Sequence, residues 1–282
     1  MTPLFFVGAL LATAMVAGIA GAILGLGGGI LLVPILTMFY GVSLRDAMGA
    51  SLVSVVATSV GAAAAYLRSG LSNMRVGLFL AMATVSGAIV GAALVGVVSE
   101  RVLALVLGVA LAYSALVTFG QLGVDLVEDV PYDLLAARFS LGGTYYDATL
   151  RRHVTYHATR VGRGTAAMFG AGLLSGLLGI GSGAFKVLAM DCFMRLPMKV
   201  STATSNFMIG ITASASAAVY FGRGDIRPAL ACPVAIGVLV GAYAGSRLLA
   251  RLRNRTVRMI FLPVLVYLAG AMIMRGLGAG LR

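Results

Sequence analysis

From Leu4 to Val42 the chain runs almost without a charge, an apolar stretch of about 39 residues. One membrane-spanning helix takes about 20 residues, so the stretch is too long for one. Gly25-Leu26-Gly27-Gly28-Gly29 falls in its middle. Each glycine costs a helix roughly 1 kcal/mol relative to alanine, so the run is predicted to break there, into segments at 4–24 and 28–42. Apolar segments follow at 47–67, 76–98 and 102–120, then a polar stretch over 121–163. Others return at 164–178, 184–194, 200–221, 229–249 and 256–274. A second glycine cluster, Gly179-Ile180-Gly181-Ser182-Gly183, opens the gap before 184.

Composition fixes the solvent. Hydrophobic residues make up 60% of the chain, charged residues 11%, and the mean hydropathy is +1.01. A soluble domain carries about 25% charged residues. Helical-length runs with little period-2 alternation predict an all-α integral membrane protein rather than a barrel. The net charge of +12 sits mostly in loops, which fits the positive-inside rule and argues against nucleic acid as a partner. Cys192 and Cys232 lie in apolar surroundings and are expected as buried thiols, with no disulfide framework. The first 25 residues lack a basic n-region and are read as mature protein.

The two halves repeat. At a fixed offset of 154, Gly25, Gly27 and Gly29 meet Gly179, Gly181 and Gly183. Ser51 meets Ser205, Tyr66 meets Tyr220, Gly87 and Gly91 meet Gly241 and Gly245, and Tyr113 meets Tyr267. Duplicated membrane halves are a mark of secondary transporters. If each glycine-broken unit enters and leaves on one side, three spans follow in each half and the repeats are inverted. Loop charge then divides 14 to 6 between the two sides, with Lys186 inside the membrane. If each broken unit crosses once, the division is about 11 to 9. The expected organisation is an N-terminal transmembrane repeat at 1–120, a cytoplasmic connector at 121–163 and a C-terminal repeat at 164–282. Each repeat holds a re-entrant helical hairpin plus three transmembrane helices. Within the connector, Gly142-Gly143 before Thr144-Tyr145-Tyr146 is a candidate small hairpin.

Broken helices at membrane depth expose backbone N–H groups, and helix N-termini attract anions. Gly27, Gly28, Gly29, Gly181, Ser182 and Gly183 are therefore candidate substrate-binding positions, against the bland reading of glycine for tight packing. Lys186 lies three residues past the second tip, and its repeat partner is Leu32. It is read as an ammonium that attracts an anion; the alternative is a side chain that snorkels to the interface. Ser51, Ser205 and Asn206 offer neutral donors, against interhelical hydrogen bonding. Asp191 and Arg195 are expected to form an i,i+4 pair, against a proton site at Asp191. Gly87, Gly91, Gly241 and Gly245 are read as packing residues. His153 and His157 are read as a solvated loop pair rather than metal ligands. No nucleophile–base pair, metal motif or cofactor motif emerges, so no enzyme activity or cofactor is expected.

The glycine-broken first segment (Gly18 to Ile30, then Val33-Pro34) resembles the sulfite exporter TauE/SafE family. So do Ala47-x-Gly49-Ala50-Ser51, Gly176 to Gly183, and Ser201-Thr202-Ala203-Thr204-Ser205-Asn206. The resemblance implies a multi-pass transporter of sulfur-containing anions in the cytoplasmic membrane. The reading is then alternating access to a small anion held between the two tips, with a coupled H+ or Na+ or the anion's own gradient as the drive. An anion channel and a non-transporting membrane subunit are the alternatives; the sequence is silent on oligomeric state.

Overall fold

The computed structural model describes residues 3–24, 28–68, 72–120, 133–147, 152–249 and 254–278. Among them the first half holds α1 (Pro3–Leu24), α2 (Gly29–Phe39), α3 (Leu44–Arg68), α4 (Met74–Leu94) and α5 (Glu100–Gly120). A short α6 (Leu134–Arg138) and the strands β1 (Gly142–Asp147) and β2 (Arg152–His157) follow. The second half holds α7 (Val161–Leu178), α8 (Gly183–Leu188) continued by a π-turn at Ala189–Phe193, α9 (Met198–Gly222), α10 (Pro228–Leu249) and α11 (Asn254–Gly276).

The offset read from the sequence recurs in the elements. α8, α9, α10 and α11 begin at 183, 198, 228 and 254, each 154 residues after the start of α2, α3, α4 and α5. The packing repeats as well. α1 lies along α10 as α7 lies along α4, and α3 packs on α9 as α5 packs on α11. Glycine makes these approaches close. A Cβ at Gly87 or Gly91 would strike the backbone of Phe169 or Leu173 on α7, and one at Gly241 the backbone of Met15 on α1. In lipid, association rests on such contact rather than on a hydrophobic drive.

Contacts also give direction. Met48, Ser59 and Asn73 advance along α3 and its following loop, while their partners Tyr220, Gly210 and Thr204 recede along α9, so the two helices are antiparallel. α5 and α11 are antiparallel too, with Gly108 at Ile273 and Leu105 at Gly276. α4 and α7 run parallel, Gly172 at Thr84 and Gly176 at Ala88. Each broken pair turns back on itself. Tyr40, just past α2, meets Thr13 at 2.6 Å and stacks edge-on against Phe6 of α1. Thr159, just before α7, donates its N–H to Met194 O at 3.1 Å, just past the π-turn.

α4 and α10 are long and apolar enough to cross a bilayer. Their outer faces carry exposed Leu78, Met82 and Val90, and Ile236, Leu239 and Tyr243. An apolar surface of that extent suits lipid, not water. Cys192 and Cys232 are free and exposed rather than buried, because the π-turn and α10 turn them outward.

The connector carries the anticipated hairpin, with Gly142 paired to His157 and Asp147 to Arg152. α7 starts at Val161, earlier than the apolar run at 164 implies. Asp133 sets that start: its carboxylate caps α6 through Leu135 N–H at 2.8 Å and also takes Val161 N–H at 2.9 Å. His153 and His157 lie on β2, not on a loop, and four residues along a strand put about 13 Å between them. The expected Asp191–Arg195 pair does not form among the described residues. The chain leaves the α-helix at the π-turn, and Arg195 takes a left-handed φ of 53°, so i,i+4 geometry is lost.

Candidate functional site: two broken helices meeting in the core

The two glycine tips meet against the first half of α3. Gly25, Leu26 and Gly27 lie outside the described residues. Gly28 leads into α2 with a φ of 70°, a conformation glycine adopts without a side-chain clash. Its repeat partner Ser182 leads into α8 with a φ of 45°. A left-handed conformation costs a non-glycine residue roughly 1–2 kcal/mol. Ser182 offsets that by donating its hydroxyl to Ala171 O of α7 at 2.7 Å. Its side chain is therefore turned away from the space between the tips.

Gly29 has no room for a side chain. A Cβ there would lie 2.5 Å from Val55 Cγ2, 2.6 Å from Ser51 Oγ and 3.4 Å from Ile180 Cα of the other tip. Gly181, at a φ of 72°, is packed against Val55 of α3 and Ile209 of α9. The tips thus touch each other, and α3 and α9 hold them from both sides.

Ser51 is fully buried and sits at the junction. Its hydroxyl lies 2.7 Å from Gly179 O and 3.2 Å from Gly29 O. One hydroxyl has one proton, so the shorter contact holds it and the longer one is its alternative. Ser205 repeats half of this arrangement, donating to Gly183 O at 3.2 Å. The candidate Gly183 thus serves through its carbonyl. Asn206 is buried, but its amide donates to Thr202 O on its own helix at 3.1 Å. The structure brings Ser51, Ser205 and the tips together and leaves Asn206 on α9.

Lys186 does not snorkel. It is 0% exposed, and its ammonium donates to Gly181 O at 3.1 Å. That is its one side-chain hydrogen bond among the described residues, and an ammonium has three N–H groups. Two donors on a buried charge are left without acceptors, which is costly in a closed core. No group of three His, Cys, Asp or Glu among the described residues is arranged to hold a metal.

The tips are tied down by side chains that the polar patches did not single out. Tyr220 on α9, fully buried, donates to Gly176 O at 3.0 Å and so fixes the end of α7. Its match to Tyr66 was the available signal. Toward the connector, Asn73 N–H donates to Thr204 Oγ1 on α9 at 3.1 Å. At the opposite mouth the repeat partner of Asn73, Arg227, pairs with Asp46 of α3 at 2.9 Å. Nearby Arg223 reaches Ala92 O at 2.9 Å and Asp225 at 3.2 Å. Single isolated letters in loops gave no warning of either clamp.

Comparison with known proteins supplies the context for this arrangement. A family model described as Sulfite exporter TauE/SafE matches residues 10–272. The chain is 24% identical over 270 residues to the probable membrane transporter protein YunE of Bacillus subtilis (strain 168), covering 93% of this chain and 96% of that protein. It is 25% identical over 241 residues to the probable membrane transporter protein YdhB of the same organism, covering 82% and 85%. No solved structure gives a significant match. With its family match spanning both tips and nearly every helix, the chain is a membrane transporter that belongs to the sulfite exporter TauE/SafE family.

Proposed function

We propose that the protein is a secondary transporter that carries a small sulfur-containing anion across the cytoplasmic membrane by alternating access. The substrate class is sulfite, thiosulfate or an organosulfonate. The observation that carries this reading is the junction itself: one hydroxyl shared between two broken helices, beside a buried ammonium with donors to spare.

In the closed form the donors are held by tip carbonyls. An oxyanion between the tips is a stronger acceptor, because hydrogen bonds to an ionised partner are roughly twice as strong as neutral ones. Lys186 supplies charge, and Ser51 and Ser205 turn their protons to the anion. When Ser51 leaves Gly179 O, a bond between the halves is lost and one half is freed to rock against the other. A coupled H+ or Na+, or the anion's own gradient, supplies the drive.

The halves are read as inverted repeats whose hairpins re-enter the membrane. Support comes from the antiparallel run of α3 on α9 and of α5 on α11. Helices exchanged by a two-fold axis are antiparallel only when that axis is perpendicular to them. For helices near the membrane normal the axis then lies in the membrane plane. The return of Tyr40 to Phe6 and of Met194 to Thr159 fits hairpins that enter and leave on one side.

The test is a binding screen of purified protein against sulfite, thiosulfate, sulfoacetate, taurine, sulfate and chloride, with flux measured in liposomes. One of the sulfur anions should bind and cross, and Lys186→Ala should lose it. Wild-type affinity in the variant for every anion that binds would remove Lys186 from the site. Flux that rises with voltage without saturating would make the protein a channel.

A further inference from the structure

On the connector side the β1–β2 hairpin leans on the loop that opens α4, and Asn73 is the joint. Its amide donates to Gly142 O at 3.1 Å and to Tyr156 Oη at 2.9 Å, while its carbonyl oxygen accepts from Val76 N–H at 3.1 Å. Between hairpin and helix lies a pocket of about 310 Å³, lined by Ser72, Asn73, Arg75, Thr144 and Tyr156 among others.

The lining offers donors and no carboxylate among the described residues. The Ser72 hydroxyl oxygen is buried and has no hydrogen-bond partner among the described residues. Leaving such a group unmet is unfavourable. Tyr156 accepts from Asn73, and its own proton has no acceptor among the described residues. Burial raises its pKa and the Asn73 hydrogen bond opposes that rise, so the phenol stays protonated at neutral pH. Arg75 is exposed and makes no hydrogen bond or ion pair among the described residues. The N–H groups of Met74 and Arg75 open α4 and have no acceptor in their own helix.

Donors arriving from a loop, a helix start and a strand, with one guanidinium and no acid, call for a ligand with several acceptor atoms and a negative charge. We infer that this pocket binds a small oxyanion, sulfate- or phosphate-like, at a second site apart from the tips. Its source is free anion or the phosphate of a lipid headgroup. Asn73 also holds Thr204 of α9 through its backbone N–H. An occupied pocket therefore ties the hairpin, α4 and α9 together at this mouth.

The experiment is thermal unfolding of the full-length protein in detergent with sulfate, inorganic phosphate or short-chain phosphatidylglycerol. A ligand at a hundred times its Kd should raise Tm by roughly 5 °C. Ser72→Ala and Arg75→Gln should each lose most of that rise, with Kd about a hundredfold weaker for Arg75→Gln. Arg75 makes no bond among the described residues, so its variant should keep the fold, which the Tm without ligand checks. Lys186→Leu should keep the rise, which separates this site from the tips. A rise with sulfate or phosphate that Arg75→Gln removes supports free anion. A rise with the lipid alone that Arg75→Gln removes supports a headgroup. No rise with any of the three, a rise intact in both pocket variants, or a rise lost in Lys186→Leu would overturn the inference.

Discussion

The two tips share a backbone and differ in chemistry. Gly28 and Ser182 occupy equivalent positions and both take a positive φ, yet one is free of strain and the other is held by a hydroxyl bond to α7. Leu32 and Lys186 are equivalent as well, and both are fully buried. The second hairpin ends in a π-turn where the first continues as α-helix around Pro34. Both tips fit against α3 and α9, and the buried cation lies on one side only. An anion between the tips is expected nearer the second.

The largest effect should come from erasing that difference. Lys186→Leu restores the residue type of the first tip. A lysine at bilayer depth costs about 2.5–3.5 kcal/mol on insertion scales, so the variant should be the more stable protein by a few kcal/mol. Anion binding should fall about a hundredfold, the equivalent of losing one charge-assisted bond of about 3 kcal/mol. Thermal unfolding and anion titration should therefore move in opposite directions. If both fall together, Lys186 is a structural residue.

The next effect separates the two serines. Ser51 bridges both tips and Ser205 serves one. Ser51→Ala leaves the buried Gly179 carbonyl without its donor from the other half and should cost about 2 kcal/mol, against about 1 kcal/mol for Ser205→Ala, whose bond is longer and stays within one half. Equal losses in denaturant titrations would make the symmetric description sufficient.

Much of this was legible in the sequence because it is written in apolar length and in glycine. The offset of 154 set four pairs of element starts, and Gly87, Gly91 and Gly241 pack as small residues against backbone. Side-chain destinations were not legible. A buried serine reads the same whether it donates to a tip carbonyl, as Ser51 does, or away from the tips, as Ser182 does. Asn206 looked like a site amide and bonds its own helix. Asp191 and Arg195 had helical spacing, but a π-turn and one left-handed residue undid it. The clamps at the mouths join loop residues far apart in sequence, for which no periodicity exists.

Those clamps form a second comparison. Asn73 and Arg227 are repeat partners, and each ties its loop to α9 or α3 of the opposite half. The connector-side clamp is neutral and the other is ionic, with the Arg227 side chain 71% exposed. Thr204→Val removes the acceptor of the Asn73 N–H, and should cost about 1 kcal/mol at any ionic strength. Asp46→Asn should cost under about 1 kcal/mol, and less at 1 M salt. Unfolding of the two variants across a salt series checks this. A loss in Thr204→Val that shrinks with salt would erase the distinction.

The smallest effect concerns how the connector is attached. The Val161 N–H bonded to Asp133 is the main cause that holds its carboxyl below the usual carboxylate range, with the Leu135 and Ala136 N–H groups adding to it and partial burial opposing. When the folded-state pKa is depressed, the unfolded chain takes up the proton first as pH falls. The stabilisation is therefore complete above the unfolded value of about 4 and disappears as pH drops through the lower folded value. Amide exchange at Val161 should be flat from pH 5 to 8 once corrected for intrinsic rates, and its protection should fall only below about pH 4. Asp133→Asn keeps an oxygen acceptor but removes the titration, so its protection should be slightly weaker and level across that acid range. If the variant retains the wild-type acid step, another carboxylate controls the junction between connector and second half.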